Sequence, residues 1–259
     1  MNSIELTIEN KVAYITLNRP EVFNSFNREM ALRLQSILDD CESNDEVRAI
    51  VLTGNGKAFC AGQDLKEVTS PELNPGFKKI LEEHYNPIIT RLRAIKKPII
   101  AAVNGVAAGA GANIALACDI VVAHEKVSFI QAFSLIGLVP DSAGTFFLPR
   151  LIGFQKAQAL AMLGDKVSAE EAEKMGMIYK SVSFEEFEET IHQLAIKLAH
   201  MPTMALGFIK ELFNQSMTNT LEDQLALESK LQIEAASSND YAEGVAAFIE
   251  KRKPNFKGN

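Results

Sequence analysis

The chain has 259 residues, 47% hydrophobic and 23% charged, with a net charge of -7. It is long enough to bury a large core and too acidic for a general basic face, which argues against nucleic acid as a partner. Three scattered cysteines, Cys41, Cys60 and Cys118, exclude a disulfide framework and suit a reducing, cytoplasmic compartment.

In chain order, MNSIELTIENKVAYITL lacks the basic-then-apolar pattern of a secretory signal. Its alternation from Ile4 to Leu17 around Glu9-Asn10-Lys11 predicts a hairpin. From Asn27, the apolar residues Met30, Leu34, Ile37, Leu38 and Cys41 recur at helical spacing. Val47 to Thr53 then reads as a buried strand ending at Gly54-Asn55-Gly56, and Pro71 to Pro75 as a mobile loop. A second unit repeats the theme: a helix over Leu81 to Ile95, a strand over Pro98 to Val103, a glycine-rich turn, a helix over Ala112 to Ala117 and a strand over Asp119 to Ala123. The apolar run from Pro98 to Ala123 contains Asn104, Asn113 and Asp119, so it predicts buried core and no membrane association. Strands alternating with helices give an α/β fold.

Beyond Gly153 the texture turns helical. Helices are predicted from Phe154 to Leu163, from a capping box of Ser168 and Glu171 to Gly176, and along Phe187, Ile191, Leu194 and Leu198. Asp240 with Glu243 reads as a further capping box.

Two glycine-rich turns stand out, GKAFCAGQDLKE (Gly56 to Glu67) and VNGVAAGAGANIALACD (Val103 to Asp119). Small residues between a strand and a helix leave backbone N–H groups unpaired and permit close approach of a ligand. Tight packing alone also accounts for either turn. A dinucleotide site does not: Ile114 stands where the fingerprint needs a small residue, and Phe59 breaks it in the first turn. The remaining reading is a pair of amides that together hold a developing oxyanion.

The segments F-C-A-G-Q-D-L, N-G-V-A-A-G-A-G-A-N and G-L-V-P-D-S-A-G-T, in this order and spacing, resemble the signature segments of the crotonase superfamily, the enoyl-CoA hydratase/isomerase group. The resemblance runs from L-N-R-P at Leu17 to the terminal K-R-K-P-N-F. It implies a ββα spiral core over 1–200 that binds and converts acyl-CoA thioesters. A helical region over 201–259 would then build a homotrimer or a dimer of trimers. It also implies that two main-chain amides, assigned here to Ala61 and Ala110, hold an enolate-type anion. Gly62, Gln63, Asp64 and Gly109 complete the substrate-binding turns.

Hydratases of the group use two glutamates, and the matching positions here are Asn113 and Phe133. Neither can take a proton from water. Asn113 is left to orient substrate or a water, or to satisfy backbone groups; Phe133 is left to line the acyl pocket or join the core. Asp141, alone in the apolar GLVPDSAGTFFLPRLIG, becomes the candidate acid/base, with capping of the following turn as the other reading. Phe133, Leu138, Phe146 and Phe147 are candidates for an apolar surround that raises its pKa. The expected activity is therefore an isomerase that shifts a double bond or rearranges a ring epoxide in a CoA thioester; a 2-enoyl-CoA hydratase and a non-catalytic acyl-CoA-binding member are the alternatives. The CoA phosphates would call on Arg19, Lys57 or Lys66, or on the terminal cluster Lys251, Arg252, Lys253 and Lys257. The reaction type needs no cofactor, with CoA entering as part of the substrate, and the histidine spacing predicts no metal site.

Overall fold

The computed structural model describes residues 2–259. It is built from a repeated strand–strand–helix unit. The hairpin β1 (Ile4–Glu9) and β2 (Val12–Leu17) leads into α1 (Arg28–Ser43). Next come β3 (Ala49–Gly54), β4 (Ala58–Cys60), α2 (Leu65–Thr69) and a helical stretch of α3 (Phe77–Lys79), a π-helical turn at Ile80–Tyr85 and α4 (Asn86–Ala94). The third unit is β5 (Ile99–Val103), β6 (Val106–Ala108) and α5 (Ala110–Leu116), and the fourth opens with β7 (Ile120–His124) and β8 (Ser128–Ile130).

In each of the last three pairs the first strand joins one sheet and the second joins another. The larger sheet has the order β1-β2-β3-β5-β7-β10, where β10 is Lys180–Val182; the smaller is β4-β6-β8-β9, where β9 is Lys166–Ser168. Apart from the β1–β2 hairpin and the β8–β9 edge, every pairing is parallel. Parallel central strands are covered on both faces, and β5 is buried at every residue. The run from Pro98 to Ala123 is thus two strands of the large sheet, one of the small sheet and a short helix. Among the described residues no helix is long and apolar enough to cross a membrane.

The helices follow their local signals. Asn27 caps α1 by accepting a hydrogen bond from Met30 N at 3.0 Å, and Met30, Leu34, Ile37, Leu38 and Cys41 form its buried stripe. Then follow α6 (Gly144–Ile152), α7 (Phe154–Leu163) and α8 (Ala169–Lys174), the last opened by the reciprocal Ser168–Glu171 capping box. α9 (Phe187–Ala199) covers the outer face of the large sheet, burying Phe187 and Ile191 against Val12, Val51, Ile100 and Val122. α10 (Thr203–Ser216), α11 (Leu221–Ala236) and α12 (Asn239–Glu250) end the chain.

Two expectations are corrected. Ser238, not Asp240, caps α12, by accepting from Tyr241 N. Asp240 is buried inside the helix, where its carboxylate accepts from Lys257 N and Gly258 N and pins the terminal tail; Glu243 pairs with Arg252. The helix expected from Leu81 begins at Phe77 and passes through a π turn, which widens the spacing of its apolar residues. The segment at Pro71 to Pro75 is a turn closed by Asn74, whose side chain donates to Val68 O and accepts from Gly76 N.

Asn24 carries more of this architecture than the sequence pattern suggests. It is fully buried, its Oδ1 accepts from Arg19 N (2.9 Å), and its Nδ2 donates to Asn55 O (2.9 Å) and Ala58 O (2.8 Å). It ties the connection between β2 and α1 to the loop that leads into β4. Asn24→Ala removes all three bonds and is expected to cost roughly 3 kcal/mol at about 1 kcal/mol each, read as a lower denaturant midpoint at unchanged m-value.

Candidate active site

The two glycine-rich turns lie at the ends of β4 and β6, side by side in the small sheet. Gly62 makes their contact possible. Its φ of +93° suits glycine, and a β-carbon there would stand 3.1 Å from Ala108 O and 3.4 Å from Ala110 N. The turns form one wall of a cavity of about 820 Å³. Ala61, Gly62, Gln63, Asp64, Gly109 and Ala110 all line it, as do Phe133 and Asp141.

Which amides are free is decided by hydrogen bonding. Ala61 N donates to Phe23 O at 3.0 Å, so the expected donor is already engaged. The correction follows from a short parallel bridge between Phe26 and Gln63. Phe26 N donates to Gly62 O (2.7 Å) and Phe26 O accepts from Asp64 N (2.9 Å). A residue bracketed in this way turns its own N–H to the other side. Gln63 N meets no acceptor among the described residues, and Gln63 lines the cavity. Ala110 is the first residue of α5, where a helix leaves its N–H unpaired. The pair of amides facing the cavity is therefore Gln63 and Ala110.

The two carboxylates of the wall sit in opposite surroundings. Asp64 pairs with Arg19 at 2.7 Å and caps α2 by accepting from Lys66 N. Asp141 has no cation; its one side-chain hydrogen bond comes from Ser142 Oγ at 2.9 Å. Burial raises its pKa to about 6 against the lowering effect of Ser142. The helix after it is capped from Ala143 without any side-chain bond, so Asp141 does not serve as the cap. Ser142 and Ala143 both take left-handed backbone, φ 50° and 58°, in a turn closed by Gly144 N donating to Asp141 O.

Asn113 does not line the cavity. It is buried behind it, donating from Nδ2 to Asp141 O and accepting from Gln131 Nε2, both at 2.8 Å. Of the apolar surround expected for Asp141, Phe133 and Leu138 are on the wall, with Ile136 and Tyr85 beside them. Phe146 and Phe147 face elsewhere: Arg150 stacks 3.8 Å from the Phe146 ring centre, and the buried Phe147 lies under Arg93. Their place on α6 rotates them away from the Asp141 turn. Among the expected cations only Lys66 lines the cavity; Arg19 is committed to Asp64, and Arg252 to Glu243 and Glu250. The sequence pattern does not single out Ile80 and Tyr85, which reach the cavity through the π turn that an apolar periodicity of 3.6 does not reveal; Phe77, on α3 just before it, lines the cavity with them.

The enoyl-CoA hydratase/isomerase family model matches residues 7–259. The chain belongs to this family. It is 48% identical to the 1,2-epoxyphenylacetyl-CoA isomerase of Escherichia coli strain K12, covering 97% of both chains. It is 38% identical to the mitochondrial enoyl-CoA hydratase of Pongo abelii, over 96% of this chain and 84% of that one. The crystal structure of an enoyl-CoA hydratase from Bacillus anthracis superposes with a TM-score of 0.92 at 32% identity, over 99% of this chain and all of that one. The ββα spiral with appended C-terminal helices is the crotonase fold, and the chain is an enzyme of that family.

The raised pKa of Asp141 has a sign that can be measured. Its folded-state value of about 6 lies above that of an exposed carboxyl, so folding favours the protonated form; this contribution is complete below ~4 and lost as pH rises through ~6. Denaturant midpoints of the wild type and Asp141→Asn, compared between pH 4.5 and 7.5, should therefore shift steadily in favour of the asparagine variant.

Proposed function

We propose that this enzyme is a CoA-thioester isomerase in which Asp141 moves a proton between two carbons of the acyl group, and that ring-1,2-epoxyphenylacetyl-CoA, rearranged to its oxepin-CoA, is the substrate. The observation that carries the reading is the pairing of an unpaired, partly buried carboxylate with two cavity-facing amides, where the positions matching the hydratase glutamates are Asn113 and Phe133.

The chemistry follows from these groups. A carboxylate with a pKa near 6 is ionised at neutral pH and, in its apolar surround, basic enough to remove a proton from the carbon beside the thioester carbonyl. The electron pair moves onto the carbonyl oxygen, where the Gln63 and Ala110 amides stabilise it more than the neutral ground state. The protonated Asp141 returns the same proton at the far end of the conjugated system. In a 3-enoyl thioester this yields the 2-enoyl isomer. In the epoxide thioester the ring carbon–carbon bond shared with the epoxide breaks as the ring double bonds shift, giving the oxepin, and the same proton transfer from the side-chain carbon to a ring carbon gives the conjugated product. No water is consumed, so one acid/base group suffices. Phe133 and Tyr85, the latter backed by the buried Phe26, suit a flat ring in the acyl site. The similarity to the E. coli isomerase supports the same substrate.

For the partner, we read the C-terminal helices as a self-association face that builds a homotrimer or a dimer of trimers. Phe248 and Ile249 are 86% and 72% exposed, with Phe213 and Ile233 also open, which favours burial against a second copy. Sedimentation equilibrium should give three or six times the chain mass.

The direct test offers crotonyl-CoA, a 3-enoyl-CoA and freshly generated epoxyphenylacetyl-CoA, with products followed by mass and ultraviolet absorbance. The expected result is turnover of the last two and little hydration of the first. Asp141→Asn should lower kcat by a factor on the order of 10³, the scale of acid/base catalysis. The wild-type kcat/KM should rise with pH through about 6. Hydration of crotonyl-CoA as the main activity would refute the isomerase reading.

A further inference from the structure

Tyr85 is buried to zero exposure, yet it lines the cavity and closes the π turn at Ile80–Tyr85. Single π turns inside helices often mark functional positions, because they re-aim the side chains that follow. The phenol oxygen lies 3.0 Å from Gln63 Oε1, and Gln63 Nε2 lies 2.8 Å from Glu67 Oε2. The other Glu67 oxygen accepts from Arg28 N at 2.8 Å.

Donor and acceptor capacities give this chain a direction. A carboxylate only accepts, so the NH₂ of Gln63 faces Glu67; its carbonyl oxygen then faces Tyr85, and the phenol must donate. Burial, with the nearby acidic groups Cys60, Asp141, Glu67 and Asp64, raises the Tyr85 pKa and keeps that proton in place. The phenol is therefore a donor and not a base. The ring also lies edge-on to Phe26, with centroids 6.0 Å apart, and Phe26 is the residue that brackets the Gln63 backbone. Tyr85 thus touches both the side chain of Gln63 and the strand partner that turns its N–H. Gly62, at φ +93°, is torsionally free, so sterics alone do not hold the Gly62–Gln63 peptide plane. The bond from Phe26 N to Gly62 O (2.7 Å) holds it on one side, and Tyr85 packs on Phe26 and bonds the Gln63 side chain on the other.

We propose that Tyr85 is a positioning residue that clamps the Gln63 side chain against Glu67 and so fixes the Gln63 main-chain N–H toward the thioester oxygen of the substrate. The proposal rests on the anion-holding reading of the cavity. A misaligned donor loses most where charge develops in the transition state, so its removal lowers kcat and leaves KM nearly unchanged.

The test uses two readouts on the full-length protein. The first is kcat and KM for a 3-enoyl-CoA. The second is the infrared carbonyl stretch of bound cinnamoyl-CoA labelled with ¹³C at the thioester, which needs binding but no turnover. In the wild type the stretch should shift to lower frequency on binding. Tyr85→Phe keeps the ring and removes the hydroxyl; it should lose about half of that shift and lower kcat roughly 10-fold. Gln63→Met keeps the main-chain N–H and removes both ends of the clamp, and should give the same loss even if Tyr85→Phe folds poorly. Wild-type shift and kcat in either folded variant would overturn the clamp alone. A wild type with no shift would overturn the anion-holding reading and the clamp with it.

Discussion

The side-chain amide of Asn113 joins the two halves of the site. It sits on α5, whose first residue supplies the Ala110 amide, and it donates to the main-chain oxygen of Asp141, which supplies the carboxylate. A glutamate at this position could not donate that bond while ionised. The residue that removes an acid from the family pattern therefore also creates the tie that holds the remaining acid. The donor direction is set by the Asp141 carbonyl, so Asn113 must offer its oxygen to Gln131 Nε2. Gln131 Oε1 is then buried without a partner, a cost of roughly 1–3 kcal/mol accepted by the fold.

The backbone beside Asp141 carries a second cost. Ser142 and Ala143 both hold left-handed conformations that L-residues avoid, at about 1 kcal/mol or more each. The turn survives because Gly144 N closes onto Asp141 O and Asn113 grips the same oxygen. A looser turn would let Asp141 reach water and return to an ordinary carboxylate. Asp64 shows the contrast: bound to Arg19 and to a helix N-terminus, it has the charge partner and the main-chain hydrogen bond that Asp141, held only by the Ser142 hydroxyl, lacks. Two carboxylates on one wall are thus placed in opposite surroundings by their neighbours, which suits Asp64 to a structural role and Asp141 to the proton transfer proposed for it.

The parts of this arrangement that were legible in the sequence are those encoded locally. The Ser168–Glu171 box and the helical stripe of α1 each depend on residues within a few positions of one another. The choice of Gln63 over Ala61 as donor depends on a bridge to Phe26, distant in sequence, and no local pattern reports which side of the chain an N–H faces. Asn113 as a tie, Asn24 as a three-way bond and Asp240 as the anchor of the tail share that character. Asp240 also shows how a short pattern misleads: Asp-x-x-Glu fits a capping box, but Ser238 two residues earlier takes the cap and releases Asp240 for the interior.

The distribution of charge bears on how an acidic chain holds the anion of the proposed reaction. Arg19, beside the wall, is spent on Asp64; elsewhere in the molecule Arg93 and Lys210 are spent on Asp119. In the proposed reaction the groups that meet the reacting oxygen are the neutral amides of Gln63 and Ala110. A fixed cation in that position would also attract carboxylates and phosphates in their ground states. An amide pair held by packing favours a thioester oxygen chiefly as charge develops on it, which is the difference that accelerates a reaction. Lys66 is the one cation among the described residues of the wall, on the first turn of α2. In the proposed reaction, the orientation of the Gln63 and Ala110 amides sets how strongly the site favours the enolate over the bound substrate.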